Sequence, residues 1–437
     1  MGMDRLDWCS QPAQPLRGSV RVPGDKSVSH RALMLAAIAE GDSRIRGFLE
    51  GGDTLATAAV LAQLGVRIEA PSAGERLVHG VGLHGLRGSP QPLDCGNAGT
   101  GMRLLAGLLA GQAFDSTLMG DASLSKRPMR RVTDPLASMG ARIDTRDGLP
   151  PLHVHGGQSL RGIRYALPVA SAQVKSALLL AGLYAAGETD ILEPHPTRDY
   201  TERMLAAFGW PIEFEPGRAR LQGGHVLRAT DVEVPADFSS AAFFLVAASI
   251  VPGSALKLPA VGLNPRRTGL LQALRLMGAD ITIENQRESG GEPVGDLAVR
   301  YAPLHGIELP EAWVPDMIDE FPALFIAAAV ASGSTVVRGA AELRVKESDR
   351  IATMAAGLRT LGAAIEETPD GAIIQGGKLG AGSVDSHLDH RIAMSFAVAG
   401  LVAGGPVRIN DCSHVATSFP GFVELANGCG FALQALA

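Results

Sequence analysis

The stretch Leu64-Gly65-Val66-Arg67-Ile68-Glu69 ends an apolar helical segment at a glycine and continues into a short strand. Variants of it return with their glycines at positions 140, 209, 278, 362 and 430, so the repeat is about 70 residues long. Within each repeat an earlier apolar helix also ends near a glycine, and alternating apolar residues between repeats predict a hairpin. The repeat is therefore predicted to be βαβαββ, which is too long for one coil of a solenoid. Six such repeats predict an α/β protein with two halves of three repeats each.

The composition favours a large apolar core and argues against several classes of partner. The chain has 437 residues, of which 46% are hydrophobic, and its net charge of −6 disfavours a protein that coats nucleic acid. Its longest apolar stretches, such as 241–251, are about a dozen residues and too short to span a membrane. Four cysteines without a CxxC pair, and a start without a signal-like leader, are typical of a reducing compartment. We predict a cytoplasmic protein with no membrane or nucleic-acid partner.

Polar residues recur at one place in the repeat, the start of its first helix. A helix N-terminus offers free N–H groups to an anion, and Lys26 and Ser27 would add a cation and a hydroxyl there. Five leading helices start with such a motif, whereas the fourth, with Ser239-Ser240, has only an ordinary cap. The motifs are Val22-Pro23-Gly24-Asp25-Lys26-Ser27-Val28-Ser29-His30-Arg31, Cys95-Gly96-Asn97-Ala98-Gly99-Thr100-Gly101-Met102-Arg103, Ala170-Ser171-Ala172-Gln173-Val174-Lys175-Ser176, Met317-Ile318-Asp319-Glu320 and Leu388-Asp389-His390-Arg391. Together they predict a cleft between the two halves that binds phosphates and carboxylates.

Two further cationic motifs precede second helices of the repeats. Arg127 stands directly before Pro128, and Lys346 and Arg350 are four residues apart, which predicts that they share a helical face. The chain has no HExxH motif, Asp-rich loop, Cys/His cluster or GxGxxG turn. No metal and no cofactor are therefore predicted.

In their order along the chain, these motifs resemble those of the 5-enolpyruvylshikimate-3-phosphate synthase family. The motifs that carry the resemblance are VPGDKSVSHR, GNAGTGMRLL, SKRP, SAQVKS, ELRVKESDR and DHRIAMS, across residues 22 to 420. The resemblance implies the two-domain enolpyruvyl transferase fold, with three βαβαββ repeats per domain, a hinge and an interdomain active site. It implies domains at 24–237 and at 1–23 with 238–437.

The resemblance also implies a reaction. The carboxyvinyl group of phosphoenolpyruvate would pass to the 5-hydroxyl of shikimate 3-phosphate, through a tetrahedral intermediate and with release of phosphate, in aromatic amino-acid biosynthesis. A monomer without cofactors is expected. Gly99 stands where herbicide-tolerant members carry Ala, so inhibition by glyphosate is expected. Thr417 stands where some members carry a Lys that contacts phosphoenolpyruvate, so that contact is lost or supplied elsewhere.

Site residues carry over position by position, as the resemblance implies them. Contacts to shikimate 3-phosphate are expected from Lys26, Ser27, Arg31, Ser171, Ala172, Gln173, Arg198, Asp319 and Lys346. Contacts to phosphoenolpyruvate are expected from Lys26, Asn97, Gly99, Arg127, Gln173, Arg350, His390 and Arg391. The catalytic residues would be Asp319, Glu347 and Lys26. A carboxylate among cations can be tuned for proton transfer, so we expect Asp319 to take the hydroxyl proton. Glu347 would exchange the methylene proton, with Lys346 in support.

Two alternatives differ from this interpretation. The enolpyruvyl transferase that acts on UDP-N-acetylglucosamine has a related fold, but it typically uses a loop Cys, and residues 112–131 contain none. A non-catalytic anion-binding protein built from the same repeats would not need Asp319 and Glu347 beside the cations. Release of phosphate from the two substrates distinguishes these possibilities.

Overall fold

A computed structural model describes residues 6–289 and 291–436 of the chain, which form two compact units. The N-terminal unit comprises 24–235 with 288–289 and 291–292, and the C-terminal unit comprises 6–23, 236–287 and 293–436. Each unit has its own core of buried apolar side chains. Within the described ranges, no helix has the length and apolar character that crossing a membrane requires.

Twelve α-helices are formed by the described residues, two per repeat. They are α1 (Lys26–Ala37), α2 (Gly52–Gln63), α3 (Gly99–Ala110), α4 (Arg130–Ser138), α5 (Ala172–Gly182), α6 (Tyr200–Ala207), α7 (Phe238–Ile250), α8 (Gly269–Leu276), α9 (Phe321–Val330), α10 (Arg350–Thr360), α11 (His390–Gly400) and α12 (Phe422–Gly428). The first helix of each repeat is buried over nearly its whole length, and in α7 all 13 residues are buried. Such a helix can lie only inside a core. The polar motif at its N-terminus therefore lies at the edge of the core.

The strands follow the same repeat. They are β1 (Asp7–Gln11), β2 (Arg17–Ser19), β3 (Glu40–Arg46), β4 (Arg67–Glu69), β5 (Glu75–Val81), β6 (Leu93–Asp94), β7 (Ser116–Met119), β8 (Arg142–Arg146), β9 (Leu149–His155), β10 (Arg164–Ala166), β11 (Glu188–Leu192), β12 (Ile212–Glu215), β13 (Arg218–Gln222), β14 (Val232–Glu233), β15 (Ala255–Gly262), β16 (Asp280–Ser289), β17 (Glu292–Arg300), β18 (Ser334–Val337), β19 (Ala364–Thr368), β20 (Gly371–Gln375), β21 (Gly382–Asp385), β22 (Val407–Asn410) and β23 (Ala432–Leu436).

Each repeat forms one small sheet. The orders are β14-β3-β5-β4, β6-β7-β9-β8 and β10-β11-β13-β12 in the N-terminal unit, and β2-β15-β17-β16, β18-β20-β19 and β21-β22-β1-β23 in the C-terminal unit. In the second sheet, for example, β6 and β7 are parallel, while β9 pairs antiparallel with β7 and β8. The predicted α/β fold of βαβαββ repeats is confirmed.

Three sheets contain a strand from a distant part of the chain. In the sheet of the fourth repeat, β2 pairs in parallel with β15. β14 completes the sheet of the first repeat by pairing in parallel with β3. β1 lies between β22 and β23 and pairs antiparallel with both, so it belongs to the sheet of the sixth repeat. Each of the three strands joins segments that are far apart in the sequence but belong to the same unit.

The glycines of the repeated signature end the second helices. The backbone φ angles at 65, 140, 209, 278, 362 and 430 lie between +79° and +110°, a region that side chains disfavour. Each of these glycines lets the chain turn out of a helix and into the hairpin. The signature thus reflects a backbone requirement that is common to all repeats.

Candidate active site

In the N-terminal unit, the start of α1 forms the first group of predicted site residues. The Asp25 carboxylate caps the helix by accepting the Val28 N–H at 2.9 Å. Lys26 follows in the first turn, and its Nζ donates to Asp53 Oδ2 at 3.0 Å while 19% of its side chain stays exposed. Asp53 therefore holds the ammonium group at the helix start.

Arg31 lies one turn further along α1 and is almost fully buried. Its Nε donates to Thr201 Oγ1 at 2.7 Å, and a terminal nitrogen donates to Ser176 Oγ at 2.8 Å. Burial lowers the pKa of Arg31 to about 10, although the carboxylates of Glu202 and Asp25 oppose the shift. The nearby Arg198 lowers this pKa further, so the two predicted site arginines are close enough to interact.

The start of α5 adds hydroxyl and amide groups. Ser171 caps this helix by accepting the N–H of Val174, and Ala172 is its first residue. Gln173 bridges to the second repeat, since its Nε2 donates to Thr100 Oγ1 at 2.8 Å and its Oε1 accepts from Arg103 at 2.9 Å. The starts of α3 and α5 are therefore joined through the Gln173 side chain.

Lys175, which belongs to the same motif, has a different role. Its ammonium group is buried between the carboxylates of Glu193 at 2.8 Å and Glu202 at 2.7 Å. Burial alone would lower the pKa of Lys175, but the two carboxylates outweigh it and hold this pKa above its ordinary value. This lysine stabilises the packing of the third repeat.

The start of α3 holds Arg127 in place. A terminal nitrogen of Arg127 donates to Asn97 Oδ1 at 2.7 Å, and Asn97 Nδ2 donates to Asp121 at 2.7 Å. A Cβ on Gly99 would lie 2.9 Å from Arg127 Nη1 and 3.3 Å from Arg103 Nη1. The absence of a side chain at Gly99 therefore leaves the space in which the Arg127 guanidinium lies.

In the C-terminal unit, three cations surround one carboxylate. Asp319 Oδ2 accepts from Arg267 at 3.1 Å, and Asp319 Oδ1 lies 3.6 Å from Arg350 Nη1 and 3.9 Å from Lys346 Nζ. Asp319 stands just before α9 and keeps 17% of its side chain exposed. It is therefore both fixed by cations and accessible.

Arg350 connects Asp319 to the other acidic residues of this group. Its Nη2 donates to Glu347 at 2.6 Å, and its Nε donates to Asp389, the cap of α11, at 2.8 Å. Burial alone would lower the pKa of Arg350, but Asp389, Glu347 and Asp319 outweigh it and raise this pKa. The guanidinium thus stays charged although its side chain is only 1% exposed.

Asp389 also orients the first turn of α11. Its carboxylate accepts the N–H of Arg391 at 3.0 Å, and the side chains of His390 and Arg391 are both buried. Arg391 Nη1 lies 3.9 Å from the Glu320 carboxylate. The predicted phosphoenolpyruvate residues of this helix therefore join the same network.

The predicted helical pairing of Lys346 and Arg350 is wrong. α10 begins only at Arg350, with Asp349 as its cap, and Lys346 has an extended backbone before it. The two cations nevertheless both lie near Asp319 Oδ1, at 3.9 Å for Lys346 Nζ and 3.6 Å for Arg350 Nη1. Burial lowers the pKa of Lys346, and Arg350 lowers it too, while Asp319, Glu342 and Glu347 oppose the shift.

The fourth repeat contributes more than the ordinary cap that its sequence predicts. Arg267 is 4% exposed and donates to Asp237, the cap of α7, at 3.2 Å and to Ser239. Glu320 contacts the same Ser239 hydroxyl and lies 3.6 Å from Arg267. Burial raises the pKa of Asp237, but Arg267 and Arg391 outweigh it and hold this pKa below its ordinary value.

The structure thus divides the predicted residues between the units. Lys26, Ser27, Arg31, Asn97, Gly99, Arg127, Ser171, Ala172, Gln173 and Arg198 lie in the N-terminal unit, and Asp319, Lys346, Glu347, Arg350, His390 and Arg391 lie in the C-terminal unit. Sequence reasoning missed Asp53 and Arg267. Arg267 precedes the second helix of its repeat, the place that Arg127 occupies in the second repeat, and that position was the available signal. The Thr417 hydroxyl donates to the His414 carbonyl at 2.7 Å.

Comparisons with known proteins agree over nearly the whole chain. The sequence model of EPSP synthase (3-phosphoshikimate 1-carboxyvinyltransferase) matches residues 10–425. A 3-phosphoshikimate 1-carboxyvinyltransferase of Xanthomonas campestris pv. campestris (strain B100) is 71% identical over 98% of both chains. One of Xanthomonas oryzae pv. oryzae (strain PXO99A) is 70% identical over 100% of this chain and 99% of the relative.

A solved structure is similar as well. An EPSP synthase from Acinetobacter baumannii matches with a TM-score of 0.89 and 53% identity, over 99% of this chain and 100% of the other. The predicted family, its fold and its enzyme class are confirmed. Because the sequence model and relatives of this similarity extend over nearly all of the chain, the chain belongs to the EPSP synthase (3-phosphoshikimate 1-carboxyvinyltransferase) family.

Proposed function

We propose that the chain transfers the carboxyvinyl group of phosphoenolpyruvate to the 5-hydroxyl of shikimate 3-phosphate and releases phosphate. Membership of the family supports this activity, which serves aromatic amino-acid biosynthesis. The reaction requires removal of the hydroxyl proton, protonation of the methylene carbon, and elimination of phosphate from a tetrahedral intermediate. The residues of both units supply groups for these steps.

The N-terminal unit supplies groups that bind anions and hydroxyls. Lys26 and Ser27 at the start of α1, with Arg31 and Arg198, suit the phosphate and hydroxyl groups of shikimate 3-phosphate. Ser171, Ala172 and Gln173 at the start of α5 add hydrogen bonds. Lys26, Asn97, Gly99, Arg127 and Gln173 would contact phosphoenolpyruvate, and the hydrogen bond from Arg127 to Asn97 fixes that guanidinium.

The C-terminal unit supplies the groups for proton transfer. Asp319 takes the proton of the 5-hydroxyl, and Lys346 contacts shikimate 3-phosphate beside it. Glu347 exchanges the methylene proton, while Arg350, His390 and Arg391 bind phosphoenolpyruvate. Lys26 assists as a cation at the reacting groups. The observation that carries this proposal is the Asp319 carboxylate among Arg267, Arg350 and Lys346.

A kinetic comparison of carboxylate variants tests these roles. Asp319→Asn and Glu347→Gln should each lower kcat by about 10²- to 10⁴-fold, the usual contribution of a general acid or base, with a smaller change in KM for phosphoenolpyruvate. Release of phosphate from the two substrates is the measurement. Glu308→Gln, at an exposed carboxylate paired with Arg338, is the control and should leave kcat unchanged. Unchanged turnover in either site variant would remove that residue from its role.

Further properties complete the proposal. Glyphosate inhibits the enzyme, because Gly99 leaves the Arg127 guanidinium in place, and an inhibition curve that stays flat near the phosphoenolpyruvate KM would contradict this. The protein acts as a monomer in the cytoplasm. Its domains are 24–237 and 1–23 with 238–437, and the two compact units support this division.

A further inference from the structure

Two histidines share one face of β9 in the second repeat. His153 and His155 are two residues apart, so they point to the same side of the strand, while Leu152 and Val154 are buried on the other side. The His153 and His155 rings lie edge to face, with their centroids 4.6 Å apart. Both side chains are partly exposed.

The neighbouring strand brings a carboxylate to the same place. Thr117 of β7 pairs with His153 and Ser116 pairs with Val154, so Asp115 comes next to His155 in the antiparallel register. Asp115 Oδ1 accepts the N–H of Gly156 at 2.9 Å, which fixes the carboxylate there. One ligand atom from each of Asp115, His153 and His155 lies within 4.8 Å of the other two.

The histidine rings are oriented by further hydrogen bonds. His155 Nε2 contacts Asp144 Oδ2 of β8 at 2.6 Å, and His153 Nδ1 contacts Thr117 Oγ1 at 3.0 Å. Metal-bound histidines characteristically use their second ring nitrogen in this way, with a carboxylate as a preferred partner. These contacts leave Nδ1 of His155 and Nε2 of His153 to act as ligands.

We propose that Asp115, His153 and His155 bind a divalent transition-metal ion, for which Zn²⁺ is the best match. Two imidazoles and one carboxylate, with water as the fourth ligand, make an ordinary tetrahedral zinc set. Ligand atoms at about 2.0–2.2 Å from zinc require each side chain to move inward by roughly 1 Å. Side-chain rotations at the partly exposed surface can supply such a movement.

The site is separate from the residues that bind the substrates. Asp115 follows the C-terminal end of α3, whose first residue is Gly99, and a helix of 12 residues is about 18 Å long. The ion would join β7 to β9, since Asp115 directly precedes β7 and both histidines belong to β9. Its role is therefore to stabilise the sheet of the second repeat, independently of carboxyvinyl transfer.

Calorimetric titration with ZnCl₂ tests the proposal on untagged, full-length protein that has been freed of metal by a chelator. We expect one saturable zinc site at pH 7.5, lost in His153→Gln and in His155→Gln, with substrate turnover unchanged in both. Asp144→Asn should weaken zinc binding by about 10- to 100-fold, because it removes the partner that orients His155. Zinc binding that is absent in the wild type, or equal in wild type and both histidine variants, would overturn the proposal.

A histidine in the first repeat provides the matched control. His79 of β5 is also next to carboxylates, but Asp42 and Glu69 occupy both of its ring nitrogens, at 2.9 and 3.1 Å. His79→Gln should therefore leave zinc binding unchanged. Loss of binding in this variant would show that the zinc site lies elsewhere.

The stability of the protein gives a second measurement. Zinc at 100 times its Kd should lower the unfolding equilibrium constant by about 100-fold in the wild type and leave the His153→Gln/His155→Gln variant unaffected. Stabilisation that is equal in both proteins would contradict the site.

Discussion

The position of Arg127 depends on the side chain that Gly99 lacks. A Cβ there would come within 2.9 Å of Arg127 Nη1, closer than real contacts allow, so this flexible guanidinium would have to move. We therefore expect Gly99→Ala to raise KM for phosphoenolpyruvate and the inhibitory concentration of glyphosate, with less effect on kcat. Steady-state kinetics measure both effects. Gly377→Ala, where a Cβ would meet nothing within 4 Å, is the control and should change neither.

His30 predicts how stability depends on pH. It is fully buried in α1, its Nδ1 contacts Thr57 Oγ1 at 2.8 Å, and burial, with Lys26 and Arg31, lowers its pKa to about 3. In the unfolded chain this imidazole takes up a proton below about pH 6.5, whereas in the folded chain it does not. The stability contributed by the neutral ring is therefore full above pH 6.5 and is lost as the pH falls toward 3.

The effect of His30 on the free energy of unfolding is large enough to measure. Between pH 7 and pH 5 the wild type should lose about 2 kcal/mol more unfolding free energy than His30→Gln does, because that variant cannot titrate there. Urea unfolding at the two pH values, followed by the fluorescence of Trp210 in the same unit, measures the difference. Parallel losses in the two proteins would mean that His30 is already protonated in the folded state.

Among single residues, the sequence identified those that stand at helix starts. Lys26, Gln173 and Arg391 could be found because each belongs to a motif beside an apolar helix. Arg267 was missed although it precedes a second helix as Arg127 does, because its partners Asp237 and Glu320 precede other helices of the unit. Contacts between residues distant in the sequence depend on how the repeats pack against one another, and a single sequence does not contain that information.

At the scale of secondary-structure elements, the end of α12 allows a matched test of the signature glycine. Gly430 has a φ of +110°, whereas Gly428 is the last residue of the helix, and a Cβ at either position meets no close contact. Gly430→Ala should therefore lower the free energy of unfolding by about 1–2 kcal/mol through backbone strain. Gly428→Ala should raise it by about 0.5–1 kcal/mol through better helix propensity.

Urea unfolding of the two variants measures this difference. If both substitutions changed stability in the same direction, the positive φ of Gly430 would not be the reason for the glycine. The comparison is sensitive because the two glycines lie only two residues apart, one as the last residue of α12 and one just after it.

The sequence predicted most elements because helix ends and hairpins have local signals. It did not predict which strand completes the first sheet, since β14 comes from the far end of the N-terminal unit. Likewise, the grouping of Asp115 with His153 and His155 depends on the pairing of β7 with β9. No spacing along the chain carries that register.

For the whole molecule, the two separate cores predict that a core substitution destabilises only the unit in which it lies. Trp8 of β1 is 2% exposed and stacks on Phe422, with a ring separation of 5.5 Å. Trp8→Ala should destabilise the C-terminal unit by about 3–5 kcal/mol. Hydrogen exchange should then become faster in segments such as 407–410 and 432–436, which pair with β1, while 99–110 keeps its protection.

Trp210→Ala is the complementary variant, because Trp210 is buried in the N-terminal core. It should speed exchange in the N-terminal unit and leave the C-terminal unit unchanged. Faster exchange in both units with either variant would indicate that the two cores unfold as one.

The pairing of β1 affects the order in which the two units can fold during synthesis, because its partner strands are synthesised much later. β1 is synthesised about 400 residues before its partners, β22 and β23. At about 5–20 residues per second, the synthesis of β22 and β23 follows that of β1 by roughly 20–90 s. The N-terminal unit, whose main segment runs from 24 to 235 without interruption, emerges almost entirely within that interval. Its three repeats can therefore fold before β1 has the partner strands of its sheet.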